Sequence, residues 1–281
     1  MNAFELADQI LKSVGDIPPM PHIAAEVMEK LGSDRTTAED LNRVISQDQA
    51  LAARVLRMAN SSFYAASVKI KTLSHAIGFV GFNSIRSIVI AAATRELYPV
   101  LGKNEQLLWE HSIAAGLAAR LLARRARFGN PEQAFLAGLL HDIGKTVLLL
   151  KMRDRMSRVM EKVAKEPSLS FRELETDEFG FDHAALGQLV GRRWKLGSEI
   201  EEAIGTHHTP EEATEEPTLT YVTSLANSLC HRACIGPARR PNLDLGTLDS
   251  ARYLNLSAEI LKEAEIELVD KFRSEKASIL S

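Results

Sequence analysis

A histidine and an aspartate stand side by side, at His141 and Asp142, between two apolar runs of the chain. The first run covers residues 134–140 and the second covers residues 146–150. Apolar segments on both sides predict that the pair is buried. A buried charge needs a partner, and a divalent cation is a strong one. The fold must therefore enclose this dipeptide and supply the groups that balance its charge.

Five of the eight histidines form one spaced series: His111, His141, His183, His207 and His208. We expect His111 to open a helix that runs to Arg127, and His183 to open another. His141 and the pair His207–His208 are expected at the ends of two further helices. Residues this far apart converge only if several helices turn their inner faces to one pocket, as helical bundles do for metal ligands.

The chemistry of this series predicts a pocket for one or two divalent transition metals. Imidazole nitrogen together with carboxylate oxygen suits Fe, Mn, Zn or Ni. Two adjacent metals would need a bridging carboxylate, for which Asp142 is the natural candidate, and such a pair activates water and clamps a phosphoryl group. Lys145 either meets a phosphate near the metals or caps its helix. His231, next to Cys230, is expected to be an ordinary structural residue.

Apolar residues recur at three- and four-residue spacing along nearly the whole chain, for example through residues 41–56, and alternating patterns are scarce. This spacing is typical of amphipathic helices and predicts an all-α fold. We expect two lobes, residues 1–98 and residues 99–281. The second lobe bears the histidines and ends in an amphipathic packing helix over residues 258–274.

Helix boundaries are also marked in the first lobe. A capping box is expected near residue 37, formed either by Thr36 with Glu39 or by Thr37 with Asp40, the weaker partner. The glycines within residues 78–82 predict a break between two helices.

Composition narrows the classes of partner. A net charge of −3 and a pI of about 6.3 argue against a nucleic-acid partner. The dense basic run that includes Arg120, Arg124 and Arg127 is interpreted as a solvated helix end. No stretch is expected to reach the roughly 20 apolar residues of a membrane span, and the N-terminus lacks the pattern of a signal peptide. With Cys230 and Cys234 interpreted as a reduced pair, these features predict a cytoplasmic protein without a membrane partner.

The histidine series resembles the HD superfamily of metal-dependent phosphohydrolases, whose pattern is His, then His-Asp, then further histidines, then a late Asp. The ligand set that this resemblance implies consists of His111, His141, Asp142, His183, His207, His208 and Asn227. Asn227 stands where the superfamily has its closing Asp. An amide can coordinate through its oxygen but carries no charge, so one of the two metal positions loses affinity. The chain also resembles the cyclic-di-GMP-cleaving HD-GYP branch, but residues 209–212 lack the Gly-Tyr-Pro motif.

Strings in the first half are similar to the HDOD family, a group of bacterial signalling-output modules related to the HD phosphohydrolases. They cover residues 17–21, 44–51, 56–61 and 76–81. The resemblance implies a two-lobed helical bundle with an HD-like helical core in the C-terminal lobe. In the third string, Asn60 is expected to end a helix in a left-handed conformation.

Two functions remain open at this stage. The first is a bacterial regulatory module, non-catalytic, with a partial metal pocket, that binds a signalling partner protein or a second copy of itself. The second is a metal-dependent phosphohydrolase acting on a nucleotide or cyclic dinucleotide, in which Asp142 and Lys145 are the catalytic residues. A phosphorylated small ligand that is bound but not cleaved would combine the two.

Overall fold

The computed structural model describes residues 3–33, 35–64, 69–98 and 102–280, and within these ranges it contains helices and no strand. The predicted all-α class is therefore confirmed. The α-helices are α1 (Ala3–Val14), α2 (His22–Leu31), α3 (Ala38–Ile45), α4 (Gln49–Ala59), α5 (Leu73–Thr94), α6 (Lys103–Arg125), α7 (Pro131–Leu140), α8 (Ile143–Lys151), α9 (Arg153–Lys165), α10 (Phe171–Phe179), α11 (His183–Arg193), α12 (Ser198–Thr206), α13 (Pro217–Arg232), α14 (Asp249–Tyr253) and α15 (Ala258–Leu280).

The helices group into two units. The larger unit contains residues 3–18 and 102–268, and the smaller unit contains residues 19–98 and 269–280. The lobe boundary expected between residues 98 and 99 adjoins residues 99–101, which lie outside the described ranges.

The core of the smaller unit is built by α2, α3, α4 and α5. The apolar positions that repeat along residues 41–56 supply it, and Leu41, Ile45 and Val55 are completely buried. Burial of such side chains contributes roughly 1.5–3 kcal/mol each. The capping box at the start of α3 uses Thr37 and Asp40, the alternative that the sequence ranked as weaker.

Two further features of the smaller unit fix its chain path. The break predicted within residues 78–82 lies at Gly81, which has φ 79° and ψ 168° inside α5. A side chain there would be strained because this region of φ favours glycine. The prediction that Asn60 adopts a left-handed backbone conformation is wrong. Its backbone is in the right-handed helical region, with φ −86°. Its side chain instead bonds to both backbone groups of Ile70, each at 2.8 Å.

The larger unit is centred on α6, α7 and α13, whose inner faces are almost entirely buried. The interpretation of the basic run as a solvated helix end is wrong for Arg120, which is 4% exposed. Its guanidinium pairs with Glu132 at 2.8 Å and lies 4.4 Å from the ring centre of Phe135. Stacking on an aromatic face and pairing with a carboxylate together allow an arginine to be buried.

The expectation about apolar length is also corrected. Among the described residues, two stretches, Leu73–Leu97 and Pro131–Lys151, are long and apolar enough to cross a membrane. The second stretch contains both apolar runs that flank His141 and Asp142, because α7 and α8 follow one another almost without interruption. Its window is 89% buried inside the protein, which is typical of core helices, and the corresponding share is 56% for the first. Two such stretches are weak evidence for a membrane.

The end of the chain forms α15, which covers the predicted packing helix. Leu261, Ala264, Leu268 and Phe272 are buried along one stripe, at the three- and four-residue spacing of a helix face.

Candidate metal centre

The residues of the predicted ligand set lie at the ends or on the inner faces of six helices. His141 follows the last residue of α7, and Asp142 precedes the first residue of α8. His183 begins α11, and His207 follows the end of α12, as predicted. His111, by contrast, does not open a helix. It lies in the middle of α6, because the helical spacing extends upstream to residue 103.

The Asp142 carboxylate is the point at which these helices meet. Its Oδ2 lies 3.4 Å from Nε2 of His111 and 3.4 Å from Nε2 of His141. Its Oδ1 lies 3.1 Å from Nε2 of His183 and 3.8 Å from Nε2 of His207. All five side chains are at most 2% exposed. The structure thus brings together side chains that are up to 96 residues apart in sequence.

The two remaining members of the set extend this cluster on opposite sides. Nε2 of His208 lies 3.0 Å from Nε2 of His183. Asn227, on α13, is 5% exposed, and its side chain interacts with that of His111. The candidate ligand atoms fall into two groups, each within 4.8 Å: His111, His141 and Asp142 in one, and His183, His207 and His208 in the other.

Backbone carbonyl groups set the orientation of three of the imidazoles. In each, Nδ1 is within hydrogen-bond distance of a carbonyl oxygen: Ile235 for His111 at 3.1 Å, Gly138 for His141 at 2.7 Å and Ile204 for His207 at 2.8 Å. A carbonyl only accepts, so Nδ1 carries the proton and donates it. In a neutral ring Nε2 is then left with its lone pair directed at the Asp142 carboxylate.

This arrangement fits a metal ion. Within the described residues, Nε2 of His111, His141 and His207 is buried and forms no hydrogen bond. Lone pairs that face a carboxylate are an unfavourable set of acceptors unless a cation lies among them. Histidine ligands normally donate their other ring nitrogen to a carbonyl or carboxylate, as these three do. The donor set of imidazole and carboxylate suits Fe, Mn, Zn or Ni.

Burial keeps these histidines neutral. Removal from water lowers the pKa of His141 to about 4 and also lowers the pKa values of His111, His207 and His208. Desolvation disfavours the charged form of an imidazole, and this outweighs the attraction of the nearby Asp142 carboxylate. Neutral imidazole is the form that binds a metal.

Asp142 is balanced by a second buried charge. Nζ of Lys145 donates a hydrogen bond to Oδ2 of Asp142 at 2.7 Å, and both side chains are 2% exposed. The same ammonium lies 4.4 Å from the ring centre of Phe171, in a cation–π contact. Burial raises the pKa of Asp142, but the neighbouring cationic groups, Lys145 among them, hold it well below its usual value. The carboxylate is therefore ionised.

Glu175 was not recognised in the sequence. This completely buried residue of α10 accepts hydrogen bonds from the backbone N–H of His183 at 2.8 Å and from its Nδ1 at 2.5 Å. Desolvation lowers the pKa of His183, but the Glu175 and Asp142 carboxylates together outweigh it and raise that pKa to about 9. Glu175 fixes the ring so that Nε2 points toward Asp142, as a carboxylate does for a metal-ligating histidine.

The sequence of the chain matches the model of the HDOD domain family over residues 17–210. The chain belongs to the HDOD family. The match covers more than half of the chain and includes all four N-terminal strings and the pocket histidines up to His208. The resemblance seen in the sequence is thus confirmed.

Solved structures share the HDOD fold of this chain. An HDOD domain protein of unknown function from Geobacter sulfurreducens has 25% identity and a TM-score of 0.78, covering 99% of this chain and 96% of that one. A proposed signal transduction protein from Marinobacter aquaeolei VT8 has 22% identity and a TM-score of 0.80, covering 100% and 67%. A proposed metal-dependent phosphohydrolase from Shewanella amazonensis SB2B has 21% identity and a TM-score of 0.66, covering 99% of each chain.

Curated relatives of this HDOD chain are longer. An uncharacterized protein of Treponema pallidum (strain Nichols) is 24% identical over 217 residues, which are 75% of this chain and 41% of that protein. The uncharacterized protein YuxH of Bacillus subtilis (strain 168) is 24% identical over 143 residues, 48% of this chain and 35% of that protein. The chain therefore spans less than half the length of the curated relatives it matches.

Two other residues of the HDOD pocket carry information that the sequence did not reveal. Gly144 permits close packing of α8 on α11, because a Cβ atom there would overlap the carbonyl oxygen of His183. His231, expected to be an ordinary structural residue, stacks on His111 with ring centres 5.4 Å apart and planes 13° apart. Its ring adjoins the cluster, but neither group of candidate ligand atoms includes it.

Proposed function

We propose that this HDOD chain is a bacterial, cytoplasmic signal-transduction module whose His/Asp pocket holds a divalent transition metal without catalysing hydrolysis. The residues that would hold the ion are those around Asp142, and the ion would supply the positive charge that their lone pairs require. The observation that supports a metal is that three buried Nε2 atoms form no hydrogen bond within the part of the chain that the structure describes. The likeness to the Marinobacter protein supports a role in signalling.

Closure of the pocket supports the non-catalytic assignment. A hydrolase must admit a phosphoryl group to its metals, and ligand sites are normally concave and accessible. Here the side chains of Asp142 and of the four histidines that face it are at most 2% exposed, although His208 is partly exposed, and the Lys145 ammonium occupies the carboxylate that a substrate complex would need free. Asn227 in place of a carboxylate weakens one metal position further. The proposed output is a helical surface that binds a partner protein or a second copy of the chain.

Elemental analysis tests this proposal. Protein purified without chelator should contain bound transition metal, and Asp142→Asn should lose it, because that substitution removes the carboxylate charge that both groups of histidines face. Asp177→Asn is the matched control, since Asp177 is exposed on α10. Equal metal content in all three proteins, or no metal in any, would contradict the proposal. The metal-loaded protein should not cleave bis-p-nitrophenyl phosphate.

A second candidate function is favoured by one observation, namely that Asp142 offers its two oxygens to two separate groups of histidines. This is the arrangement required of a bridging carboxylate in a phosphohydrolase. When bound, a metal pair activates water and clamps phosphoryl oxygens. Lys145 would then leave Asp142 and neutralise charge on the phosphoryl group. Metal-dependent cleavage of the phosphodiester that is lost in Lys145→Ala would establish this function instead.

A further inference from the structure

We infer that Lys145 acts as a built-in cation on one side of Asp142, so that the pocket binds one divalent ion and binds it on the other side. The inference rests on the proposed function, because it requires that the pocket binds metal. It assigns the ion to the group containing His183, His207 and His208, with Oδ1 of Asp142. The group containing His111 and His141, next to Oδ2, remains without an ion.

The position of Lys145 is the first argument. Its ammonium is bonded to Oδ2 of Asp142 at 2.7 Å, the same oxygen that His111 and His141 face at 3.4 Å each. The side chain belongs to the helix that Asp142 precedes and is held against Phe171, so it competes for Oδ2 at a high effective concentration. A divalent ion at Oδ2 would have to displace the ammonium or be repelled by it.

The neutral residue in the set is the second argument. Asn227 is 5% exposed, its Oδ1 is buried without a hydrogen bond within the described residues, and its side chain is near that of His111, on the Oδ2 side of the pocket. On this side, one carboxylate that the HD pattern would supply is an amide, and the other is already paired with an ammonium. An ion there would gain little charge compensation, although two imidazoles face it.

The opposite side retains the features that bind an ion. Three imidazoles and one carboxylate oxygen make four donors, which is the usual number for Zn²⁺, and an ion there would take the place of the proton on Nε2 of His183. Nε2 of His207 forms no hydrogen bond within the described residues, and Nε2 of His183 and of His208 are 3.0 Å apart. Glu175 accepts a hydrogen bond from Nδ1 of His183, on the side of the ring away from the ion, and so orients Nε2, as carboxylates often do for metal-ligating histidines. Asp142 thus pairs with Lys145 through Oδ2 and would bind an ion through Oδ1.

Two matched histidine variants test the side to which the ion binds. The full-length protein is loaded with Zn²⁺ and, separately, with Mn²⁺, then dialysed and analysed for metal and protein. We expect one ion per chain in the unsubstituted protein and in His111→Gln, and none in His208→Gln. Circular dichroism verifies that each variant is folded, and His111→Asn and His208→Asn serve as second variants. Loss of the ion in His111→Gln with retention in His208→Gln would overturn the assignment, as would loss in both or in neither.

The role of Lys145 is tested by the number of ions. Lys145→Met removes the charge and keeps the length of the side chain, and the double variant Lys145→Met with Asn227→Asp also restores the carboxylate. We expect a second ion in the double variant, and the electron paramagnetic resonance spectrum of the Mn²⁺ form should change from that of an isolated ion to that of a coupled pair. Two ions in the unsubstituted protein, or one ion in the double variant, would overturn the inference while leaving the proposed function in place. No ion in any protein would overturn both.

Discussion

The two units of the molecule bury polar side chains in different ways. In the smaller unit, the hydroxyl groups of Ser87 and Thr94 donate to carbonyl oxygens four residues earlier in α5, at 3.2 and 2.6 Å. In the larger unit, His111, His141 and His207 satisfy one ring nitrogen and leave the other directed at Asp142. A buried polar group is therefore not by itself a sign of a site. A converging set of buried groups that leave the same face unsatisfied is such a sign.

Among substitutions that distinguish the two units, Gly144→Ala in the larger unit should have the largest effect on stability and metal binding. The added methyl group would overlap the carbonyl oxygen of His183, so α8 and α11 must move apart. Overpacking of this kind costs on the order of 3 kcal/mol of unfolding free energy, and we expect metal binding to be lost with it. Thermal unfolding and elemental analysis measure both. Gly78→Ala is the control, because a Cβ atom there meets no atom of the described residues within 4 Å. Equal behaviour of the two variants would refute the packing argument.

Glu175→Gln should weaken metal binding without unfolding the larger unit. The amide keeps the size of the side chain but removes the charge that holds His183 in place. Loss of such an outer partner typically reduces metal affinity about 10- to 100-fold. Competition with a chromophoric chelator gives the dissociation constant. Glu173→Gln, at an exposed position of the same helix, should leave it unchanged, and an equal loss in that variant would show that the effect is not specific to Glu175.

Asn60→Ala should affect stability alone. It removes the amide that bonds to the backbone N–H and carbonyl of Ile70, both of which are in the buried part of the smaller unit. Leaving these groups without partners costs about 2 kcal/mol. Denaturant unfolding measures the loss, and metal content should stay constant. Asn60→Asp, which retains the acceptor for Ile70 N–H, should lose less; a reduced metal content would contradict the distinction between the units.

The sequence was sufficient for the helical class and for the convergence around Asp142, because both depend on patterns that persist along the chain. Apolar spacing reports which face of a helix is buried, and histidines at helix ends report a shared pocket. It also placed the break in α5, since a glycine is needed where φ is positive.

Other features depend on contacts between distant residues and leave no pattern. Glu175 lies on α10 among other acidic residues, and nothing local distinguishes the carboxylate that is buried from those that are exposed. Arg120 likewise shares a helix face with the exposed Arg124, and its burial depends on Glu132 and Phe135, which come later in the chain. The pairing of Lys145 with Asp142 could not be foreseen, because a lysine beside a phosphate or at a helix end would have the same local sequence.

The hydrogen bonds from Nδ1 of His141 and His207 have one more consequence. Each reaches the carbonyl three residues earlier, in the last turn of α7 or α12, where backbone oxygens have no partner within the helix. The two rings therefore terminate helices as well as facing the pocket. A descendant chain that no longer needs the pocket would still lose stability by discarding either ring. Relatives that no longer bind a metal can thus retain these two histidines because the rings still terminate α7 and α12.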